Sequence, residues 1–141
     1  MPVTRGSIYK DMMTLPITLC AAAAAAAINL WLSVRIGMIR GAKKISIGDG
    51  GDMELIARMR AQANFIENTP IVVVLIAVIE LARTGNIWLA GVAGIYMLGR
   101  VGHGIGMDGG PLRFLRGVGT LTTMLAQLGL GVWAVSIALD M

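Results

Sequence analysis

The sequence has few charged and few aromatic residues for its length. Of its 141 residues, 14% are charged and 5% are aromatic, whereas 56% are hydrophobic; a soluble domain has about 25% charged residues. The charges lie in clusters separated by long neutral segments, and the mean hydropathy is +0.75. This composition excludes an ordinary soluble domain. It predicts one domain, residues 1–141, that crosses a membrane several times.

Cysteine and histidine each occur once, as Cys20 and His103. A single cysteine excludes an internal disulfide and a cysteine metal cluster, and His103 has no recognisable partners for a metal ion, so no metal is predicted. The net charge of +4 does not indicate nucleic acid. The basic residues flank apolar segments instead of forming a stripe interleaved with aromatic residues.

Four apolar segments, at about residues 12–34, 65–82, 87–103 and 118–139, predict transmembrane helices. The second continues a helix that begins near Met53, with Asp52 of the GDGGD turn (48–52) as its N-cap. Short connections predict an antiparallel four-helix bundle, an all-α membrane fold. Small residues are expected to let the helices approach closely, namely Ala21–Ala27, Gly91, Gly94, Gly99, Gly129 and Gly131.

Basic residues are distributed unequally between the two sides of these spans, and the positive-inside rule predicts that both termini are outside and both large polar loops are cytoplasmic. The cytoplasmic side would hold Arg35, Arg40, Lys43, Lys44, Arg58, Arg60, Arg100, Arg113 and Arg116, and the other side only Arg5, Lys10 and Arg83.

Residues 58–70, RMRAQANFIENTP, place polar side chains at the entrance of the second span. At 100° per residue, Arg60, Asn64 and Glu67 lie within about 60° of one another, and Gln62 points nearly the opposite way. In lipid Glu67 would cost about 2.5–3.5 kcal/mol, so an ion pair with Arg60 is predicted. The cluster is either a structural network between helices or a binding site for a small, multiply anionic, peptide-like ligand.

The pattern Arg60-Ala-Gln62-Ala-Asn64-x-x-Glu67-x-x-Pro70 resembles the signature of the MAPEG superfamily, the membrane-associated proteins of eicosanoid and glutathione metabolism. The segments GDGGDMEL and Gly99-Arg100-x-x-His103 are similar to its bacterial branch, and the chain resembles the microsomal glutathione transferases within it. The resemblance extends from the first helix to the fourth. It implies a homotrimer that binds glutathione between subunits near the cytoplasmic face, in a bacterial inner membrane.

The resemblance also implies roles for individual residues. Arg116, which opens the fourth helix, would be the catalytic residue that stabilises the glutathione thiolate, with Arg113 as the alternative. His103 either contacts the ligand or shuttles a proton, or it caps the third helix or forms a hydrogen bond with a neighbouring loop. The residues expected to bind glutathione are Arg40, Arg60, Gln62, Asn64, Glu67, His103 and Arg113.

A glutathione-dependent transferase or peroxidase is therefore the predicted function, with glutathione as co-substrate. A free thiol has a pKa of about 8.5, and only the thiolate is a competent nucleophile. The activated thiolate would attack lipophilic electrophiles or reduce hydroperoxides that arrive from the bilayer, and a role in detoxification would follow.

The sequence also bears on three other interpretations: a non-catalytic protein, a signal peptide and an exporter. Asn68, His103 and Met107 lie at or near positions where active members carry tyrosines, which favours a non-catalytic protein of this type that binds a lipid or a small anionic ligand. The first span has no charge from Met12 to Val34. That segment is too long for a signal peptide. It also contains no acidic residue, which argues against a four-helix multidrug exporter.

Overall fold

The computed structural model describes residues 14–83 and 85–140. In these residues the chain forms four α-helices, and a single 3-10 turn, Gly110–Leu112, follows the third of them. The helices are α1 (Pro16–Lys43), α2 (Met53–Arg83), α3 (Ile87–Gly106) and α4 (Phe114–Leu139). The described part of the chain contains no β-strand, so the prediction of an all-α architecture is confirmed there.

The helix boundaries differ from the predicted spans mainly at the polar ends. As predicted, α2 begins at Met53, but α1 continues past Val34 to Lys43. Its apolar face continues as well, since Ile36 and Ile39 are buried against Leu55 of α2. The charged residue Arg35 therefore does not end α1, because one face of the helix still packs against α2. The predicted start of the first span, residues 12–13, lies outside the described residues.

Three helix N-termini are capped by side chains, two of them locally. Asp52 Oδ1 accepts a hydrogen bond of 2.8 Å from the backbone N–H of Leu55, which confirms the predicted N-cap of α2. Asn86 does the same for α3 through the N–H of Leu89, at 2.9 Å. The third cap is distant in sequence, because Glu80 of α2 bonds to the first turn of α1.

Helices α2 and α3 contact each other, and each of them also contacts α1 and α4. Buried apolar side chains from all four helices form the core, among them Leu32, Phe65, Ile76, Leu89 and Leu130. We call the end of the bundle with the α1–α2 and α3–α4 connections the loop end, and the opposite end the terminal end.

Glycine allows α3 and α4 to approach closely. A Cβ added to Gly119 would lie 2.6 Å from the His103 Cβ, and one added to Gly99 would lie 2.9 Å from Thr122 Cγ2. Gly99 therefore has the expected role, and Gly119 has it without having been predicted. The other expected glycines, Gly91, Gly94, Gly129 and Gly131, have open space at that position in the described structure.

Within the part of the chain that the structure describes, three stretches are long and apolar enough by length and composition to cross a membrane: Pro16–Lys43, Met53–Arg83 and Gly110–Leu139. The remaining helix, Ile87–Gly106, packs against them in the same bundle. At 1.5 Å per residue, α2 is about 46 Å long, well above the roughly 30 Å of a hydrocarbon core. Glu67 lies about 21 Å from the start of α2, near the middle of the helix.

Candidate functional site

Arg100 of α3 lies at the centre of the bundle near the loop end. It is 1% exposed, its Nη2 donates to Asn64 Oδ1 at 2.6 Å, and its Nη1 donates to Thr123 Oγ1 at 2.5 Å. Its Nε is buried and has no hydrogen-bond partner among the described residues. The predicted site residue Asn64 is therefore held by α3 of its own subunit.

This role of Arg100 was not predicted, although an arginine inside an apolar helix indicates a polar partner. What the sequence could not supply was the identity of that partner, because Asn64 and Thr123 lie on other helices.

Gln62 points toward α1 and not toward the face of α2 that holds Arg60. Its Nε2 donates to Ser33 Oγ at 2.5 Å and lies 3.4 Å from Asn29 Oδ1. The predicted divergence of Gln62 from Arg60 is thus present. In the described structure the amide nitrogen of Gln62 is used between helices.

Arg60 and Glu67 are both exposed on α2, and the predicted ion pair between them is wrong. Among the described residues neither side chain forms an ion pair or a hydrogen bond. The two residues are seven positions apart, which is two helical turns and about 10.5 Å of rise. Neighbours on a helix surface are three or four positions apart. Their charges are therefore left for something outside the described protomer.

Arg40, near the end of α1, lies beside the same face of α2. Its Nη2 is 3.6 Å from the sulfur of Met59, one position before Arg60. The structure therefore brings Arg40 and Arg60 to one region, as the prediction required.

Arg35 and Arg58 serve a different purpose from Arg40 and Arg60. Both pair with Asp108, which follows α3, and Arg58 also pairs with Glu54 at 3.1 Å. Arg35 additionally donates to the Gly104 carbonyl at 3.0 Å, and its guanidinium lies 4.6 Å from the centre of the Trp31 ring. This network joins α1, α2 and the end of α3. Arg35 and Arg58, two of the basic residues predicted at the cytoplasmic side, are therefore used within the bundle.

His103 is buried between α3 and α4. Its Nδ1 lies 3.1 Å from the carbonyl oxygen of Arg116 and 3.4 Å from Thr120 Oγ1. A carbonyl only accepts, so Nδ1 carries the proton in this arrangement. The described contacts of His103 are structural, but they reach the first turns of α4 and not the loop that the sequence predicted.

Arg113 and Arg116 are exposed at the beginning of α4. Arg116 lies in the first turn, and Arg113 is the residue before Phe114. Among the described residues neither guanidinium forms an ion pair or a hydrogen bond. The positive end of the helix dipole adds to their potential for binding an anion.

Two cavities differ sharply in their linings. One, of about 290 Å³, lies on α2 at the loop end and is lined by Asp49, Ile56, Met59, Arg60 and Ala63. The other, of about 400 Å³, lies between α1 and α3 toward the terminal end and is lined by apolar residues, Cys20 and Met97 among them. Only the first of this pair has charged walls. In the described residues no group of three or more His, Cys, Asp or Glu could hold a metal ion.

Comparison with known proteins identifies the family. The model of the MAPEG family matches residues 18–136, which is most of the chain. The protein belongs to the MAPEG family. Comparison with curated proteins gives no match.

Family membership confirms the resemblance seen in the sequence at the level of the superfamily. Together with the apolar helices, it makes this chain a multi-pass membrane protein of the kind found in eicosanoid and glutathione metabolism. The match includes Arg40, the signature residues of α2, Arg100, and both arginines at the start of α4.

Proposed function

We propose that this MAPEG protein is a glutathione-dependent transferase, with hydroperoxide reduction as a further activity. The observation that supports it most is a division among the arginines. Arg35 and Arg58 at the loop end are neutralised by carboxylates, and the buried Arg100 is bonded to Asn64 and Thr123. The other four arginines at that end have no carboxylate partner among the described residues: Arg40, Arg60, Arg113 and Arg116. Glutathione carries two carboxylates and, when activated, a thiolate, and arginine is well suited to such groups.

Arg116 is the proposed catalytic residue. Its position in the first turn of α4 puts a fixed positive charge next to the positive end of a helix dipole. Lowering the pKa of a bound thiol by one unit requires about 1.4 kcal/mol of interaction that favours the anion. The thiol proton passes to solvent, and the thiolate forms the new carbon–sulfur bond with a lipophilic electrophile while the leaving group departs.

The unpaired charges on α2 support assembly into a homotrimer with the ligand between subunits. An exposed Glu67 near the middle of a membrane helix would cost about 2.5–3.5 kcal/mol against lipid. A neighbouring copy and its bound ligand would remove that cost. The excess of unpaired arginines at the loop end supports placing this end in the cytoplasm of a bacterium, with the protein in the inner membrane.

The alternative is a non-catalytic MAPEG protein that binds a lipid or a small anionic ligand. Tyr96 is fully buried, with its hydroxyl 3.0 Å from Thr69 Oγ1, so its phenol does not face the loop-end surface. Asn68 donates to the Asn64 carbonyl at 2.7 Å and accepts from Gln127 at 2.9 Å, so it is used within the bundle. Because these two side chains bond within the bundle, the loop-end site has few hydrogen-bond donors for a thiol, which favours the non-catalytic alternative.

Thiolate formation separates the two functions. The purified protein is titrated with glutathione at neutral pH, and the ultraviolet difference absorbance of the thiolate is recorded for the unaltered chain and for Arg116→Ala, Arg113→Ala and Arg83→Ala. We expect a saturable signal that only Arg116→Ala abolishes, since Arg83 pairs with Asp140 at the other end. Calorimetric binding of glutathione with no thiolate signal in the unaltered protein would select the non-catalytic alternative.

A further inference from the structure

The charged cavity on α2 has walls of both signs. Asp49 and Arg60 both line it, together with Ile56, Met59 and Ala63. The carboxylate and the guanidinium do not pair with each other, and neither forms an ion pair with another described residue. Its volume of about 290 Å³ is near the lower end of the range for small-molecule sites, about 300–1,000 Å³. A cavity of this kind suits a ligand that carries both charges.

The GDGGD turn holds Asp49 at this cavity. Gly48, Gly50 and Gly51 have φ angles of 75°, 59° and 72°, a region that other residues rarely adopt. Asp49 Oδ1 accepts a hydrogen bond of 2.9 Å from the N–H of Gly51, which orients the carboxylate and leaves its second oxygen without a described partner. Asp52, in contrast, is bonded to Lys43 and to the Leu55 N–H. Of the two aspartates, Asp49 is the one available to a ligand.

A second guanidinium completes the charge pattern. Arg40 Nη2 lies 3.6 Å from the sulfur of Met59, and Met59 lines the cavity. Arg40 therefore lies next to the cavity, while Asp49 and Arg60 form part of its wall. Glutathione has the complementary set, with two carboxylates and one ammonium group. A purely anionic ligand would be repelled by Asp49.

We propose that Asp49 binds the α-ammonium group of the γ-glutamyl residue of glutathione and so selects ligands with an amino-acid head group. This rests on the proposed function and deepens it. Arg60 in the cavity wall and Arg40 beside the cavity bind the carboxylates. Glu67, on the same face of α2 as Arg60, is a second carboxylate with no ion-pair partner among the described residues. It lies one turn beyond Ala63 and does not line the cavity.

The test compares two ligands on the full chain in detergent by calorimetry. One is glutathione, and the other is its des-amino analogue, γ-glutaryl-cysteinyl-glycine, which lacks only the ammonium group. The unaltered protein is expected to bind the analogue about tenfold or more weakly, the effect of losing one hydrogen bond between charged groups. In Asp49→Asn the two affinities should become equal, because glutathione loses the partner of its ammonium group and the analogue no longer meets an opposing carboxylate.

Asp49→Asn is a conservative change, and Glu54→Gln is its matched control. Asn keeps the oxygen that accepts from Gly51, so Asp49→Asn preserves the turn. Glu54→Gln removes a nearby acid that pairs with Lys43 and Arg58 outside the cavity, and it should retain the discrimination between ligands. Glu67→Gln tests the unpaired carboxylate on α2, and it should keep the difference between the two ligands even where it changes both affinities.

The outcomes separate the two proposals. Discrimination that persists in Asp49→Asn, or that disappears in Glu67→Gln instead, overturns the role of Asp49 while leaving glutathione binding intact. Equal affinities of the unaltered protein for the two ligands would do the same. An unaltered protein that binds neither ligand overturns both this inference and the proposed function.

Discussion

The two ends of the bundle differ in the charged residues they leave unpaired, because the loop end combines a satisfied ion-pair network with unpaired charges. At the terminal end, Glu80 is buried and accepts three hydrogen bonds from the first turn of α1, at 2.7 to 3.0 Å. Arg83 there pairs with Asp140. At the loop end, Arg60 and the Asp49 carboxylate line a cavity, and Arg113 and Arg116 are exposed at the start of α4. Satisfied polar groups hold the helices together, whereas the unsatisfied ones are those a ligand can use.

The largest expected effect is at the loop end. Arg116→Ala should lower glutathione-dependent turnover by about 10²- to 10³-fold, the usual effect of removing one group that stabilises a developing anion. Steady-state rates with a lipophilic electrophile measure this, and Arg83→Ala is the matched control at the terminal end. Full activity of Arg116→Ala would remove the proposed difference between the two ends.

At the terminal end the expected effect is on stability. Glu80→Ala leaves the backbone N–H groups of Ile17 and Thr18 without their acceptor, and the loss of this cap should cost about 3 kcal/mol. Thermal unfolding in detergent measures the change. The folded variant should still form the glutathione thiolate at neutral pH. A loss of thiolate formation without a loss of stability would place Glu80 in the site and contradict the comparison.

The close contact of α3 and α4 should be sensitive to a single methyl group. Gly119→Ala puts a Cβ 2.6 Å from the Cβ of His103, and it should destabilise the protein by about 2 kcal/mol and displace Arg116. Gly117→Ala is the control on the same helix, because nothing lies within 4 Å of its added carbon. It should be neutral or slightly stabilising. Equal unfolding temperatures for the two variants would show that this contact does not position α4.

The smallest expected effect concerns Asp52, whose polar contacts are structural although it lies at the loop end. Its hydrogen bond to Lys43, followed by that from the Leu55 N–H, holds the pKa of Asp52 below its ordinary value of 3.8. A lowered pKa in the folded state contributes stability above the ordinary value, and this contribution disappears as the pH falls through the folded value. Below about pH 4, unfolding temperatures of the unaltered protein should fall more steeply than those of Asp52→Asn. Parallel curves would contradict this.

Local patterns predicted much of the fold. The apolar segments marked the helices, Asp52 marked the start of α2, and the spacing from Arg60 to Pro70 led to the family that the comparison confirms. These features depend on neighbours a few positions away, so one sequence contains all the information needed to recognise them.

Partners across helices were not predictable in the same way. Glu80 bonds to residues 62 and 63 positions away, and Arg100 bonds to Asn64 and Thr123 on two different helices. The predicted Arg60–Glu67 pair was wrong because the two residues share an angular position on α2 but are separated by two turns along its axis. Angular position tells which residues share a face, but it does not tell which of them touch.

The sequence by itself determined that this chain is a helical membrane protein of the MAPEG family, because hydropathy and short motifs are properties of contiguous residues. Only the tertiary structure decided which charged residues are neutralised inside the protomer and which are left over. That division depends on distances between helices, and those distances are set by how closely the helices pack. Arg58 and Arg60 are two positions apart in sequence, yet one pairs with Glu54 and Asp108 while the other lines the cavity with Asp49.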